Sequence, residues 1–197
     1  TKTGTDKFFQ STIGYSYDTR DLHEYPAYGT LAAVSLTKFG IPSATIDFSH
    51  FNFDYRRYIP LSSDIVLIGR LFGILTAGNQ QPVYEHVYFG YGERIRGHFR
   101  EVFEGDNLFG ASSELHFTLL QPKYLKVDFL PKEFSLWRFG VTAAAFADAG
   151  TVWYREQRAI PSTLPSGYGF GLHFLLPYSF VVRTEVAWNE LGKSEFV

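Results

Sequence analysis

Period-two alternation is the feature that most narrows what this chain can become. From 167 to 176, Tyr168, Phe170, Leu172 and Phe174 alternate with Gly167, Gly169, Gly171 and His173. Successive side chains of a strand point to opposite faces, so the pattern gives a half-apolar strand and cannot be laid along one face of a helix. It recurs along the chain. Residues 8–17 carry Phe9, Ile13, Tyr15 and Tyr17 on one face, with Gln10, Thr12, Gly14 and Ser16 on the other. In 30–39, Ala32, Val34 and Leu36 oppose Ser35 and Thr37; in 112–119, Leu115, Phe117 and Leu119 oppose Glu114, His116 and Thr118. In 139–152, Val141, Ala143, Ala145 and Ala147 oppose Thr142, Phe146 and Asp148. In 180–189, Phe180, Val182, Val186 and Trp188 oppose Arg183, Glu185 and Asn189.

Two segments are less regular. In 44–58, Ile46 and Phe48 share one parity while Phe51, Phe53 and Tyr55 hold the other, which predicts a bulge near Ser49-His50. Residues 65–75 are apolar on both parities except for Arg70. Turns fall where Pro, Gly, Asn, Asp and Ser cluster, as at Tyr25-Pro26-Ala27-Tyr28-Gly29, Gly40-Ile41-Pro42-Ser43, Pro60 to Asp64 and Leu191-Gly192-Lys193-Ser194. Residues 121–132 read as a polar connection, 155–166 as a loop with Pro161 and Pro165, and 195–197 as the start of another strand. The expected fold is all-β: eight antiparallel strands and the start of a ninth, without a helix, in one domain over 1–197. A long loop at about 78–110 interrupts them.

Strands of about ten residues suit a tilted membrane span better than a soluble sheet. No stretch is long and apolar enough for a transmembrane helix, but barrel strands are half polar and leave mean hydropathy near neutral, here −0.09. Alternation alone leaves two readings open. In a soluble sandwich the apolar face packs inward, whereas in a membrane barrel it meets lipid and the charged face lines the lumen. Aromatics near strand ends (Tyr15, Tyr17, Trp153, Tyr168, Trp188) favour the barrel and make the lipid bilayer its first partner. A formal charge of −2 gives no case for nucleic acid, and the absence of Cys excludes disulfides and thiolate chemistry. The Thr1-Lys2-Thr3-Gly4 start is not a signal peptide.

The long loop centres on Ile95-Arg96-Gly97-His98, with glycines at Gly90, Gly92, Gly97 and Gly105. About 30 residues without structure of their own are more than an ordinary loop carries. Its aromatics, Tyr84, Tyr88, Phe89, Tyr91, Phe99 and Phe103, argue against disorder. An arginine that leaves water needs an acidic partner. Asp148, within Phe146-Ala147-Asp148-Ala149-Gly150 on an alanine-rich strand, is the natural one, with Glu114 sharing its inward parity. Gly167-x-Gly-x-Gly171 lacks the spacing and the helix of a dinucleotide loop, so its glycines read as close packing on one strand face. The six histidines have no metal-ligand spacing, and neither a triad nor a nucleophile elbow is present. No enzyme activity and no cofactor are expected.

These residues resemble the BamA-type barrel superfamily, the bacterial surface antigen family. Ile95-Arg96-Gly97-His98 is similar to that family's Val/Ile-Arg-Gly-Phe/Tyr lid motif, and Phe146-Ala147-Asp148-Ala149-Gly150 to its Phe-x-Asp-x-Gly strand motif. Tyr17 to Asp21 with Pro26 and Gly29, Phe89-Gly90-Tyr91-Gly92, and Ser113-Glu114-Leu115 add matches in the family's order. The resemblance implies the C-terminal half of an up-and-down barrel of about sixteen strands, with the loop folded inside and Arg96 paired to Asp148. It implies an outer-membrane location and a role in inserting or translocating outer-membrane or secreted proteins, with unfolded substrates and periplasmic or lipoprotein accessory subunits as partners. His98 departs from the family's aromatic, and neither the POTRA domains nor a complete closing strand is in this sequence. The residues leave two other readings: an anchor or exporter for a fused enzyme such as a patatin-like lipase, and a small eight-stranded binding barrel.

Overall fold

The structure is a computed structural model that describes residues 6–42, 45–126, 128, 131, 135–156 and 164–196. Strands β1 (Gln10–Asp18), β2 (Gly29–Gly40), β3 (Asp47–Pro60) and β4 (Ile65–Gly78) come first. The short strands β5 (Val87–Phe89) and β6 (Phe103–Gly105) follow, then β7 (Asn107–Lys126), β8 (Leu136–Trp153), β9 (Ser166–Leu175), β10 (Val181–Asn189) and β11 (Ser194–Phe196). Nine of them form one sheet in the order β1-β2-β3-β4-β7-β8-β9-β10-β11, while β5 and β6 pair separately. Every neighbouring pair is antiparallel, so the sheet is an up-and-down meander.

The sheet wraps around an interior. Tyr25, in the β1–β2 connection, hydrogen-bonds His173 on β9 at 2.9 Å and stacks on His116 of β7 at 5.0 Å. β2 and β9 are five positions apart in the sheet. Flat, they would be separated by roughly 24 Å at the usual strand spacing. Only a strongly curved wall lets one side chain bridge them. Burial is inverted relative to a soluble domain. Among the described residues, 33 large hydrophobics are exposed and 14 hydrophobics are buried, while 15 polar or charged residues are buried. Tyr15, Leu36, Tyr55, Leu71, Phe109, Phe170 and Leu172 stand on the convex face; Asp148, His173, Glu185 and Asn189 are buried on the concave one. A continuous apolar exterior of this extent requires an apolar solvent.

Three expectations are corrected. β3 pairs with β2 and β4 without a register shift, so no bulge lies at Ser49-His50. Its inner face is apolar at one end because Phe48 stacks on Phe39 at 4.5 Å, with Ile46 and Phe8 beside them. The register shifts lie instead in β7 against β8, between Thr118 and Leu120 and between Leu120 and Lys123. Residues 121–126 are strand rather than connection, and Pro122 is tolerated because it falls where the ladder is already broken. The long loop has structure of its own: a 3-10 turn at Val83–Glu85 and the β5–β6 ribbon. Ser43, Ala44, Lys132, Pro161 and Val197, which bounded several expected turns and strands, lie outside the described residues.

A charge placed on the convex face separates lipid from water as its solvent. Ala145→Arg, on the exposed face of β8, is expected to cost about 2–4 kcal/mol in lipid vesicles, with urea unfolding as the measurement. Ser35→Arg on the concave face should cost much less. A neutral Ala145→Arg would mean that this face does not meet lipid.

Candidate functional site

The ladder registers align one row of inward side chains across six strands: Arg56 on β3, Arg70 on β4, Ser112 on β7, Asp148 on β8, Gly167 on β9 and Asn189 on β10. The long loop lies along this row as a crossbar. Glu93 accepts both terminal nitrogens of Arg70, at 2.9 and 2.7 Å. Arg96 reaches Ser112 and Asp148, and its carbonyl lies over Gly167. Gly97 rests on the backbone of Trp188 and Asn189.

Arg96 is the centre. Its Nε donates to Asp148 Oδ2 at 2.6 Å and one terminal nitrogen donates to Oδ1 at 2.7 Å, the two-pronged geometry that only a guanidinium offers a carboxylate. The same terminal nitrogen donates to Ser112 Oγ at 3.2 Å, and that hydroxyl donates to Asp148 Oδ1 at 2.6 Å. The other terminal nitrogen lies 2.8 Å from Glu114 and 3.4 Å from Glu185. Phe146 supports the flat face of the guanidinium at 3.6 Å. Glu114 and Glu185 each also meet an imidazole. His116 lies 2.8 Å from Glu114, and His173 lies 2.9 Å from Glu185 with Tyr25 behind it.

The remaining motif residues make room and packing. Ile95 is buried with Phe72, Val87, Phe89 and Leu108, an apolar core the loop builds against the inner wall. A side chain at Gly150 would run into Phe89 and Ile95, and one at Gly167 into the Arg96 carbonyl. Gly97 has φ +97°, a conformation costly for other residues, and it lies flat on β10. His98 is 4% exposed; its Nδ1 is 3.0 Å from Glu101, and its Nε2 is 2.8 Å from Glu190 and 3.2 Å from the Ser166 carbonyl.

The structure thus brings Ile95, Arg96, Gly97, Phe146, Asp148, Gly150 and Glu114 into one constellation, with His98 at its end. Sequence reasoning overlooked Ser112 and Glu185 as ligands of Arg96, the Arg70–Glu93 pair, and the contact of His98 with Glu190. Inward parity flagged Glu185, but strand register and curvature decide which inward groups meet. Beyond the loop, toward the Tyr25 connection, lies a cavity of about 310 Å³. Among the described residues no cluster of His, Cys, Asp and Glu has the geometry to hold a metal ion.

Removing the cation leaves Asp148, Glu114 and Glu185 facing each other. Arg96→Ala is expected to cost about 3–5 kcal/mol. Arg96→Lys recovers only part of this, since it loses the fork and the stack on Phe146. Combined with Asp148→Ala, the losses should depart from additivity by about 0.5–3 kcal/mol in urea unfolding. Additive or absent losses would remove this pair from the account of how the loop is held.

The family model for the Omp85 superfamily domain matches residues 1–195. Among solved structures, the crystal structure of BamA from Haemophilus ducreyi lacking POTRA domains 1-3 aligns with a TM-score of 0.65 at 17% identity, covering 96% of this chain. The present chain spans 40% of the length of that BamA chain. A search of the curated proteins finds no match. At this identity the likeness to BamA shows the fold, the wall of an up-and-down β-barrel, while the family model takes in nearly every residue. The chain belongs to the Omp85 superfamily.

Proposed function

We propose that this outer-membrane barrel inserts or translocates outer-membrane or secreted proteins, and that the crossbar loop is the lid that keeps its lumen closed while it does so. The observation that carries the reading is the loop itself. A segment with its own apolar core, held by Arg96 against Asp148, Glu114 and Glu185, occupies the interior where an open pore would have water. Such a barrel works by presenting an edge rather than by chemistry. Substrate strands would add where β11 borders a seam, satisfying backbone groups by strand pairing. Unfolded barrel or secreted proteins are the substrates in this reading, and periplasmic or lipoprotein subunits are its accessory partners.

The protein reconstituted in lipid vesicles should accelerate insertion of an unfolded outer-membrane β-barrel over protein-free vesicles, followed by acquisition of protease resistance. Arg96→Ala and Asp148→Ala should each slow insertion, and the double variant should be little worse than either. Equal insertion with and without the protein would overturn the reading.

A further inference from the structure

His98 stands where three elements meet: the lid loop, the start of β9 and the turn after β10. Its amide donates to the Ile95 carbonyl at 3.0 Å, which closes a tight backbone turn around Arg96 and Gly97. Both ring nitrogens face acceptors: Glu101 of the loop on Nδ1, and Glu190 of the β10–β11 turn with the Ser166 carbonyl on Nε2. A neutral imidazole has one N–H and one lone pair. Facing carboxylates on both sides, it would set a lone pair against a negative charge. The doubly protonated ring donates on both sides and has no such conflict.

Glu190 is not a loose surface acid. It also accepts the Ser166 amide at 3.1 Å. The turn that carries it is held by Asn189, whose side-chain oxygen takes the amides of Leu191 and Lys193 at 3.1 and 2.9 Å. One residue beyond His98, the Phe99 amide donates to Glu195 on β11 at 2.7 Å. The loop therefore grips the whole β10–β11 hairpin.

We propose that His98 is a proton-dependent positioning residue: its imidazolium ties the lid loop to the turn between β10 and β11, and loss of the proton loosens that tie. The charged groups around the ring are Glu101 from its own loop, Glu190 from the turn and, adjoining them, Glu195 from β11; β9 contributes the Ser166 carbonyl, and the ring of Phe103 packs at 5.6 Å. Burial works against the charged ring, but the hydrogen bonds to Glu101 and Glu190 outweigh it, and the pKa of His98 is raised above its ordinary 6.5. A raised pKa means that the tie is fully present below about 6.5 and is lost as pH rises through the higher value of the clamped ring. That loosening would affect substrate entry rests on the proposed function; the tie itself does not.

The chain has no Cys, so Arg100→Cys and Lys193→Cys, both exposed, place two spin labels on loop and hairpin. In lipid vesicles without substrate, the label separation should be short and narrow at about pH 6, with a longer population growing toward about pH 9. The closed-to-open ratio should fall by about tenfold for each unit by which the clamped pKa exceeds the free one. His98→Phe keeps a ring without a proton and should remove the pH dependence, and Glu190→Gln should shift release to lower pH. Heat-modifiable gel mobility checks that each variant is folded. If His98→Phe does not fold, nuclear magnetic resonance titration of His98 in the native chain replaces it. A separation that does not change with pH, the same change in His98→Phe, or a His98 titrating at or below 6.5 overturns the tie. A pH-dependent separation supports it even in vesicles that insert nothing, an outcome that would overturn only the proposed function.

Discussion

A buried guanidinium is the constraint on which the rest of the structure turns. Taking Arg96 out of water costs several kcal/mol, and only close, well-oriented carboxylates return it. Asp148 supplies the two-pronged contact, and Glu114 and Glu185 supply charge from β7 and β10. Glu114 and Glu185 continue into His116, His173 and Tyr25, so a network that begins at the loop ends in the β1–β2 connection. Removing one member leaves others unpaired in a low-dielectric interior, where an unsatisfied polar group costs most.

That charge can be reached only because the wall is thin along the loop's path. Gly167, Gly169 and Gly171 stand on one inward face of β9, where side chains would meet the Arg96 carbonyl, the Phe146 ring and the Glu185 side chain respectively. Phe146, Asp148 and Gly150 do three different things from consecutive inward positions of β8: one supports the guanidinium face, one binds its edge, and one leaves space for Phe89 and Ile95. The strand motif thus follows from what an inserted loop requires of the wall.

The alternation made the strands legible, because a period of two needs no tertiary information. Arg96 and Asp148 were legible as a pair because each was an oddity: an arginine in a long aromatic loop, and an acid among alanines. What was not legible depends on register and curvature. Ser112 meets Arg96 because β7 pairs Ser112 with Asp148, and no local pattern states that register. Glu185 lies two strands from Asp148, and only the curved wall aims both at one point. Ile46 and Phe48 misled because an inner face was taken to be polar throughout, whereas at the end of β2 and the start of β3 it packs aromatic rings. Residues 121–126 misled because proline and lysine are poor strand formers, yet the register shifts around Leu120 accommodate them.

The order of charges also fixes which way the loop lies. Along the row, cations come first, at Arg56 and Arg70, and the acid at Asp148 comes later. The loop presents the complementary order, Glu93 then Arg96, so the anion falls on Arg70 and the cation on Asp148. Laid in the opposite direction, it would set Glu93 against Asp148 and Arg96 against Arg70, two like-charge contacts inside a lumen that screens them poorly. Slid one strand toward β10, Glu93 would lose Arg70 for Ser112, and Arg96 would lose Asp148 for Gly167. Attraction alone would hold a charged loop against a charged wall in many ways. Repulsion in the wrong orientation and lost partners in the wrong register leave one.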